Sequence, residues 1–319
     1  MKAIIDKAIP YINGVLEPYF DVQYIAGKDI DAAMAKDADV LLVRTRTKCN
    51  SSLLEGSSVK LVATATIGCD HIDIPWCKQA GIEVKNAPGC NSMAVMEYFF
   101  TAIYKLSEIK NISLEGKTIG VIGVGHVGGK IAAKAEELGF NVLRNDPPRA
   151  DLEGPEGFVD LDYLLKNSDI ITIHIPLENN LDFAGQDFFD KIKDGAIFVN
   201  ASRGEVLVEN AFLSNCKRFT GVIMDVWRNE PNINQAMMAA ADIATPHIAG
   251  YSMQGKINGT TAVVHAVGNR FGIQALNDFC LPSAQKPFSL TAYDIMADDK
   301  ALRSAPESFE SLRSNYNYR

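Results

Sequence analysis

The apolar positions of the first ninety or so residues fall into short runs that polar segments separate. Strands that alternate with helices favour a parallel sheet with helices on both faces. The pattern therefore predicts a first α/β domain, a doubly wound sheet of flavodoxin-like type. Its predicted strands lie at residues 3–6, 22–26, 39–44, 60–68 and 82–88, and its predicted helices include 31–38 and 74–81.

A second set of buried-looking runs follows a strongly apolar segment, residues 91–107, that predicts one long buried helix capped by Asn91 or Ser92. Helical segments such as 128–139 and 161–167 separate these runs. The alternation predicts a doubly wound Rossmann domain with six strands. The predicted strands are residues 117–123, 140–146, 169–175, 195–202, 221–227 and 242–247.

A further helical segment, residues 255–272, precedes a polar tail from Asn277 onward that contains three prolines. We predict a substrate domain of residues 1–90 and 252–275, an NAD-binding domain of 91–251, and a small C-terminal module of 276–319. A partly disordered tail is the alternative. Hinges for a closing motion are expected near Asn91 and Tyr251, where the chain crosses between the two larger domains.

Composition narrows the class of protein. The chain has 319 residues, above the roughly 250–300 at which one hydrophobic core stops growing. A net charge of −8 argues against nucleic-acid binding. The chain has no apolar stretch of about 18 residues that would span a membrane and no signal-peptide h-region. Six cysteines without a CxxC pair are expected to be free thiols in the cytoplasm, and neither Cys69 nor Cys90 has the Cys–His signature of a nucleophile.

A glycine-rich loop stands between a predicted strand and a predicted helix. Gly123 permits the tight turn, Gly125 lets the backbone approach a pyrophosphate, and Gly128 allows the helix to pack on the strand. The loop residues His126 and Val127 begin the helix, whose free N–H groups favour phosphates. An acid, Asp146, ends the next strand and would repel a 2′-phosphate, so NAD is favoured over NADP despite the nearby Arg144 and Arg149.

Three chemically complementary residues follow the ends of later strands. Arg203, Glu230 and His247 are expected at the sheet edge that faces the ligand crevice. A neutral histidine can remove a hydroxyl proton while hydride leaves the same carbon, and a carboxylate fixes its tautomer. A planar guanidinium suits a substrate carboxylate. These residues predict an oxidoreductase of 2-hydroxy acids, with Asp225 near the nicotinamide. His71, His126, His174 and His265 are expected to be hydrogen-bonded core residues, and no metal site is predicted.

Longer segments resemble the D-isomer-specific 2-hydroxyacid dehydrogenase family, which acts with NAD. Within that family, five segments resemble the branch that oxidises 4-phospho-D-erythronate in pyridoxal 5′-phosphate biosynthesis. They are residues 64–71, 87–91, 145–149, 225–231 and 246–252. The tail also resembles the dimerisation module of that branch and implies a homodimer. The matching segments are 62–73, 86–98, 120–128, 200–207, 225–231 and 245–252.

The resemblance also implies roles for single residues. Thr45, Thr66 and Tyr251 would contact substrate, and Asp146 and Asp225 would bind NAD. Arg44 and Arg46 belong to a basic cluster, 44–48, that could hold a phosphate or could be a solvated loop. Further cofactor contacts are expected from Ala201, Ser202 and Gly250, and Arg313 and Arg319 are candidates for a phosphate-binding arginine in the tail.

Two departures from the family pattern stand out. The start reads DKAIPY where the family has DENIPY, and the segment 177–189 is short and lacks a Tyr-His pair. That loop borders the expected nicotinamide side, so cofactor affinity or closure could differ. Two other functions stay open. One is a dehydrogenase of another 2-hydroxy acid such as 3-phosphoglycerate, and the other is an NAD-sensing corepressor, which intact Arg203, Glu230 and His247 disfavour.

Overall fold

The computed structural model describes residues 1–290 and 293–318. The chain divides into two compact units. The first unit consists of Met1–Asn91 and Ser252–Lys286, and the second of Ser92–Tyr251 with the chain from Pro287 onward. The strands of both units, numbered in chain order, are β1 (Lys2–Asp6), β2 (Asp21–Ile25), β3 (Val40–Val43), β4 (Leu61–Thr64), β5 (Glu83–Lys85), β6 (Thr118–Ile122), β7 (Asn141–Asn145), β8 (Ile170–Ile173), β9 (Ile197–Asn200), β10 (Gly221–Met224) and β11 (Ile243–Ala244).

Helices alternate with these strands, as the sequence predicted. None of the described helices is long and apolar enough to cross a membrane. The α-helices are α1 (Ala32–Ala35), α2 (Ser51–Leu54), α3 (Ile74–Gln79), α4 (Ser92–Lys110), α5 (His126–Glu137), α6 (Pro147–Glu153), α7 (Leu161–Asn167), α8 (Gln186–Lys191), α9 (Glu209–Asn215), α10 (Gln235–Ala240), α11 (Met253–Phe271), α12 (Gln274–Asn277), α13 (Ile295–Ser304) and α14 (Phe309–Ser314).

The sheet of the first unit is parallel, in the order β2-β1-β3-β4-β5. This is the flavodoxin-like order, so the predicted fold class is confirmed. Successive side chains of β1 point to opposite faces. Ile5 packs in the cluster that contains Val263 and Val264 of α11, whereas Ile4 packs with Leu53 of α2. Burial on both faces explains why these strands are continuous apolar runs.

The second sheet is also parallel, in the order β11-β10-β9-β8-β6-β7. An extended segment lies beside β7, where the Val159 amide donates to the Arg144 carbonyl (2.8 Å) and the Asn145 side chain donates to the Val159 carbonyl (2.8 Å). This segment occupies the third-strand position of a Rossmann sheet. The predicted long helix is α4, and its Tyr98, Phe99 and Phe100 are fully buried in the core of this unit.

The C-terminal tail forms helices that pack on the second unit. Leu302 of α13 and Phe309 of α14 are fully buried in its core. The Asp299 carboxylate accepts a hydrogen bond from the Ala244 amide (2.8 Å), so α13 is fixed to the end of β11. Most of the tail is therefore folded onto its own chain. Dimerisation stays a prediction, and Arg319 lies outside the described residues.

Candidate active site

The glycine-rich loop follows β6 and leads into α5. Gly123 has φ +82°, and a Cβ there would lie 2.8 Å from the His174 carbonyl group. A Cβ on Gly128 would come within 2.0 Å of the Gly123 oxygen, so only glycine allows α5 to pack this close. Gly125 differs, because a Cβ there would meet no atom within 4 Å. The open space lies on the exposed side of the loop, where a pyrophosphate would approach.

Asp146 directly follows β7 and links this loop to α6. One of its carboxylate oxygens accepts from the Val124 amide (2.8 Å), and the other accepts from the Arg149 amide (3.2 Å) and caps α6. Arg149 in turn donates to the Val124 carbonyl (2.7 Å). The acid is thus held at the mouth of the loop. The open space at Gly125 before α5 suits the pyrophosphate of a dinucleotide, and the fixed carboxylate of Asp146 suits its ribose.

Glu230 and His247, two of the three predicted catalytic residues, are paired in the second unit. The Nδ1 atom of His247 lies 2.7 Å from one Glu230 oxygen, and the other Glu230 oxygen accepts from the Trp227 amide (2.9 Å). A carboxylate only accepts, so Nδ1 carries the proton and Nε2 of the neutral ring is the basic nitrogen. Burial raises the pKa of Glu230, but His247 and Arg313 outweigh it and the pKa is lowered.

The backbone at His247 is left-handed, with φ +57°. Such a conformation costs a non-glycine residue about 1–2 kcal/mol and is concentrated at functional sites. The buried Asp225 holds it in place, because its carboxylate accepts from the Ile248 amide (2.8 Å), the Ala249 amide (2.9 Å) and the Thr245 hydroxyl (2.6 Å). Burial raises the pKa of Asp225 against these hydrogen bonds. Asp225 therefore orients the histidine loop, and its contact with NAD stays a prediction.

Arg203 follows β9 and is half-buried, and its guanidinium donates to the Ser202 carbonyl (2.8 Å). The next residue explains its placement. A Cβ on Gly204 would lie 1.9 Å from the backbone carbon of Trp227, so this turn sits directly on the segment whose amide binds Glu230. The sequence motifs around residues 203 and 230 are thus packed against one another in one unit.

Three other predicted cofactor residues lie on the same side of the second sheet or on the histidine loop. Ser202 is buried, and both its amide and its hydroxyl are bound by the Asn200 side chain (3.0 and 2.8 Å). Ala201 and Gly250 are half-buried. Their contacts with a cofactor stay predictions.

The predicted substrate residues of the first unit follow β3 and β4. Thr66 is linked through its hydroxyl to Thr64 (2.8 Å), which is in turn 3.2 Å from the His71 ring. Burial lowers the pKa of His71 to about 4, so this ring is neutral. Thr45 and Arg46 are exposed, whereas Arg44 is half-buried and donates to the Ala8 carbonyl (3.2 Å).

Lys256, in the first turn of α11, is a candidate that the motifs did not reveal. Burial, together with the smaller effect of the nearby positive charge of Arg44, lowers its pKa to about 7. A Cβ on Gly259 would lie 2.7 Å from the Ala65 carbonyl, so α11 runs directly against the residue before Thr66. Two cations and a hydroxyl therefore lie close to this end of the first sheet. The only signal in the sequence was a lysine near the start of the predicted helix 255–272.

The predictions for the other histidines hold in part. His71, His174 and His265 have hydrogen bonds, to Thr64, Thr172 and the Phe279 carbonyl. His126 is exposed at the start of α5 instead. All six cysteines are free thiols, as predicted. Burial raises the pKa of Cys90 to about 11, which does not suit a nucleophile.

A dinucleotide loop on a parallel sheet, with a carboxylate-paired histidine in the same unit, defines the class of NAD-dependent oxidoreductases. Residues 97–249 match the family model of the D-isomer specific 2-hydroxyacid dehydrogenase, NAD binding domain. The chain belongs to the erythronate-4-phosphate dehydrogenase family, as its curated relatives establish. The relative from Bacteroides fragilis is 41% identical over 99% of this chain and 96% of its own.

The chain is also similar to a second curated relative and to a solved structure. An erythronate-4-phosphate dehydrogenase from Escherichia coli is 40% identical over 99% of this chain and 91% of its own. Among solved structures, a D-lactate dehydrogenase from Aquifex aeolicus, complexed with NAD and lactic acid, superposes with a TM-score of 0.71 at 25% identity. It covers 86% of this chain and 97% of its own. The predicted family, fold class and cofactor are confirmed.

Proposed function

We propose that this protein oxidises 4-phospho-D-erythronate at C2 to 2-oxo-3-hydroxy-4-phosphobutanoate, in pyridoxal 5′-phosphate biosynthesis. NAD, when bound at the glycine loop, accepts the hydride. The single observation that carries the reaction type is the 2.7 Å contact between His247 and Glu230. It leaves the Nε2 atom of a neutral ring to take the proton of the C2 hydroxyl.

Each end of the substrate has a counterpart among the described residues. Arg203 binds the carboxylate, since a guanidinium can donate two parallel hydrogen bonds to it. Arg44, Arg46 and Lys256 of the first unit bind the phosphate, and Thr45 and Thr66 hydrogen-bond to the chain between. Gly123, Gly125, Gly128 and Asp146 hold NAD. The names of the curated relatives support this substrate over a non-phosphorylated acid.

A substrate panel tests the proposal. NADH formation is measured with 4-phospho-D-erythronate, 3-phosphoglycerate and D-erythronate, each with NAD and with NADP. We expect the highest kcat/KM for 4-phospho-D-erythronate with NAD. A preference for 3-phosphoglycerate would contradict the proposed substrate, and no turnover of any of these acids would contradict the proposed reaction.

We also propose that the protein works in the cytoplasm as a homodimer assembled through its C-terminal tail. The resemblance of the tail to a dimerisation module supports this. Equilibrium sedimentation of the full chain, and of a chain that ends before α13, tests it. We expect a dimer for the full chain, and a monomeric full chain would exclude the arrangement.

A further inference from the structure

The last helix of the chain returns to the catalytic pair. Arg313 of α14 places a guanidinium nitrogen 3.6 Å from the Glu230 oxygen that also binds His247. The guanidinium also hydrogen-bonds to the Tyr251 side chain. Tyr251 itself packs against the rings of Tyr316 and Tyr318, whose centroids lie 5.8 and 5.7 Å away. All these residues belong to the second unit, so the tail reaches the histidine of its own chain.

A second tail arginine shows what a purely structural role looks like. Arg303 of α13 donates to both oxygens of Asp299 (2.9 Å each) and to the carbonyls of Met238 (3.0 Å) and Ala241 (2.7 Å). These hydrogen bonds fix α13 to the rest of the second unit. Arg303 thus anchors the tail, and none of these contacts involves Glu230 or His247.

Arg313 is arranged differently. Its side chain is only 18% exposed, and among the described residues its buried Nε has no hydrogen-bond partner. Its charge faces Glu230 and, at 3.5 Å, the half-exposed Glu310. A buried cation is costly unless it is paired, so its position depends on the carboxylate of the catalytic pair more than on fixing α14.

We propose that Arg313 is a positioning residue of the hydride-transfer site, which holds Glu230 ionised and Tyr251 in place from the same polypeptide. The proposal rests on the proposed function, because it assigns Arg313 to the proton-transfer pair of that reaction. This role differs from that of the phosphate-binding arginine for which the family resemblance made Arg313 a candidate.

The charges around the pair give the sign of the effect. His247 faces the carboxylates of Glu230 and Asp225, and Arg313 is the cation opposite them, with Glu310 on its outer side. Without the positive charge of Arg313, the negative charge of Glu230 acts more strongly on His247, so the protonated imidazole forms more easily. Oxidation needs the neutral ring, so the acid limb of the pH profile moves to higher pH.

The test compares four single variants of the full chain with the wild type. Arg313→Gln removes the positive charge, and Arg313→Lys keeps the charge but lacks the planar guanidinium. Lys300→Gln removes an exposed positive charge from the same tail. Arg303→Gln is added as the structural control. Thermal unfolding of each variant shows whether the tail still packs.

For Arg313→Gln we expect kcat to fall about tenfold for phosphorylated and non-phosphorylated acids alike, with KM changed less than about twofold. The acid limb of kcat/KM should move to higher pH by about one unit, because a nearby cation disfavours the protonated form of a base and Arg313→Gln removes that cation. Arg313→Lys and added guanidinium ion should restore part of kcat. Lys300→Gln should behave as wild type, and Arg303→Gln should lower only the unfolding temperature.

Three results would overturn the proposal. The first is a rise in KM confined to the phosphorylated acid, which would make Arg313 a phosphate ligand. The second is a pH profile that does not move, and the third is an Arg303→Gln variant that reproduces the pH shift. The proposed function fails separately, because in that case the wild type itself turns over none of the acids. Nuclear magnetic resonance titration of the His247 ring in the absence of substrate gives the same comparison without turnover.

Discussion

The carboxyl edges of the two sheets are built on different physical grounds. At the edge of the second unit, charged groups are paired with one another: Glu230 with His247, and Asp225 with three donors of the histidine loop. At the edge of the first unit, Arg44 and Lys256 are like charges whose repulsion contributes to the lowered pKa of the lysine. The polar groups of the second unit are therefore satisfied by one another, whereas the two cations of the first unit suit an anion. We therefore expect the catalytic step to depend on the second unit and recognition of the phosphate to depend on the first.

The largest expected effect lies in the paired edge. His247→Asn removes the proposed base, and general-base catalysis contributes about 10²–10⁴-fold. We therefore expect kcat for 4-phospho-D-erythronate to fall by about that factor, with little change in KM. His265→Asn, which alters a hydrogen-bonded histidine of the first unit, is the matched control. Unchanged turnover in His247→Asn would remove the base assignment.

Asp225 tests whether preorganisation matters at the same edge. In Asp225→Asn an amide donor faces a backbone donor, and an unsatisfied buried group costs about 1–3 kcal/mol. We expect the free energy of unfolding to fall by about that amount and kcat to fall several-fold as the His247 loop loosens. Denaturant unfolding and steady-state kinetics measure the two. Asp242→Asn, at a partly exposed site on the same sheet, should cost less. Equal costs would show that Asp225 has no special role.

Lys256 tests the cationic edge. With a pKa of about 7, the lysine is charged below that pH and neutral above it. Binding of the phosphate favours the charged form, so kcat/KM for the phosphorylated acid should decline on the alkaline side of pH 7 while kcat does not. Lys256→Met should remove this limb and raise KM about tenfold, because a charge-assisted contact contributes about 1.5–3 kcal/mol.

The same variant should be more stable at neutral pH. The unfolded chain binds the Lys256 proton up to about pH 10.4, whereas the folded chain releases it near 7. Burial of this group therefore lowers stability below that window, and stability recovers as the pH rises through it. An increased unfolding temperature together with a higher KM would support a binding role. Lys60→Met, at a surface ion pair of the same unit, is the control. A KM unchanged in Lys256→Met would reject that role.

The smallest expected effect concerns the cofactor. Asp146→Ser removes the carboxylate that repels a 2′-phosphate, and it also removes the hydrogen bond to Val124. The ratio of kcat/KM for NAD over NADP should fall several-fold. Asp151→Ser, on the exposed side of α6, should leave the ratio unchanged. A ratio that persists in Asp146→Ser would place discrimination elsewhere in the loop.

Local patterns were sufficient for much of the fold because burial on both faces of a parallel sheet leaves a continuous apolar run. Each of the eleven strands among the described residues overlaps a run that the pattern identified, although β1 and β2 begin one residue before their predicted runs and β11 is only two residues long. Gly123 and Gly128 were identified for steric reasons that the structure also shows. The tail was less certain, because its buried positions, such as Leu302 and Phe309, are few and widely spaced among polar residues.

The sequence by itself determined the two sheets, the dinucleotide loop and the trio Arg203, Glu230 and His247, since each depends on residue type at a fixed distance from a strand end. Only the tertiary structure decided how those residues are held. The Asp225 clamp, the pairing of Arg313 with Glu230 and the approach of Lys256 to Arg44 join positions far apart in the chain. Such contacts depend on helix packing that no local pattern encodes, because one helix face can pack on many partners.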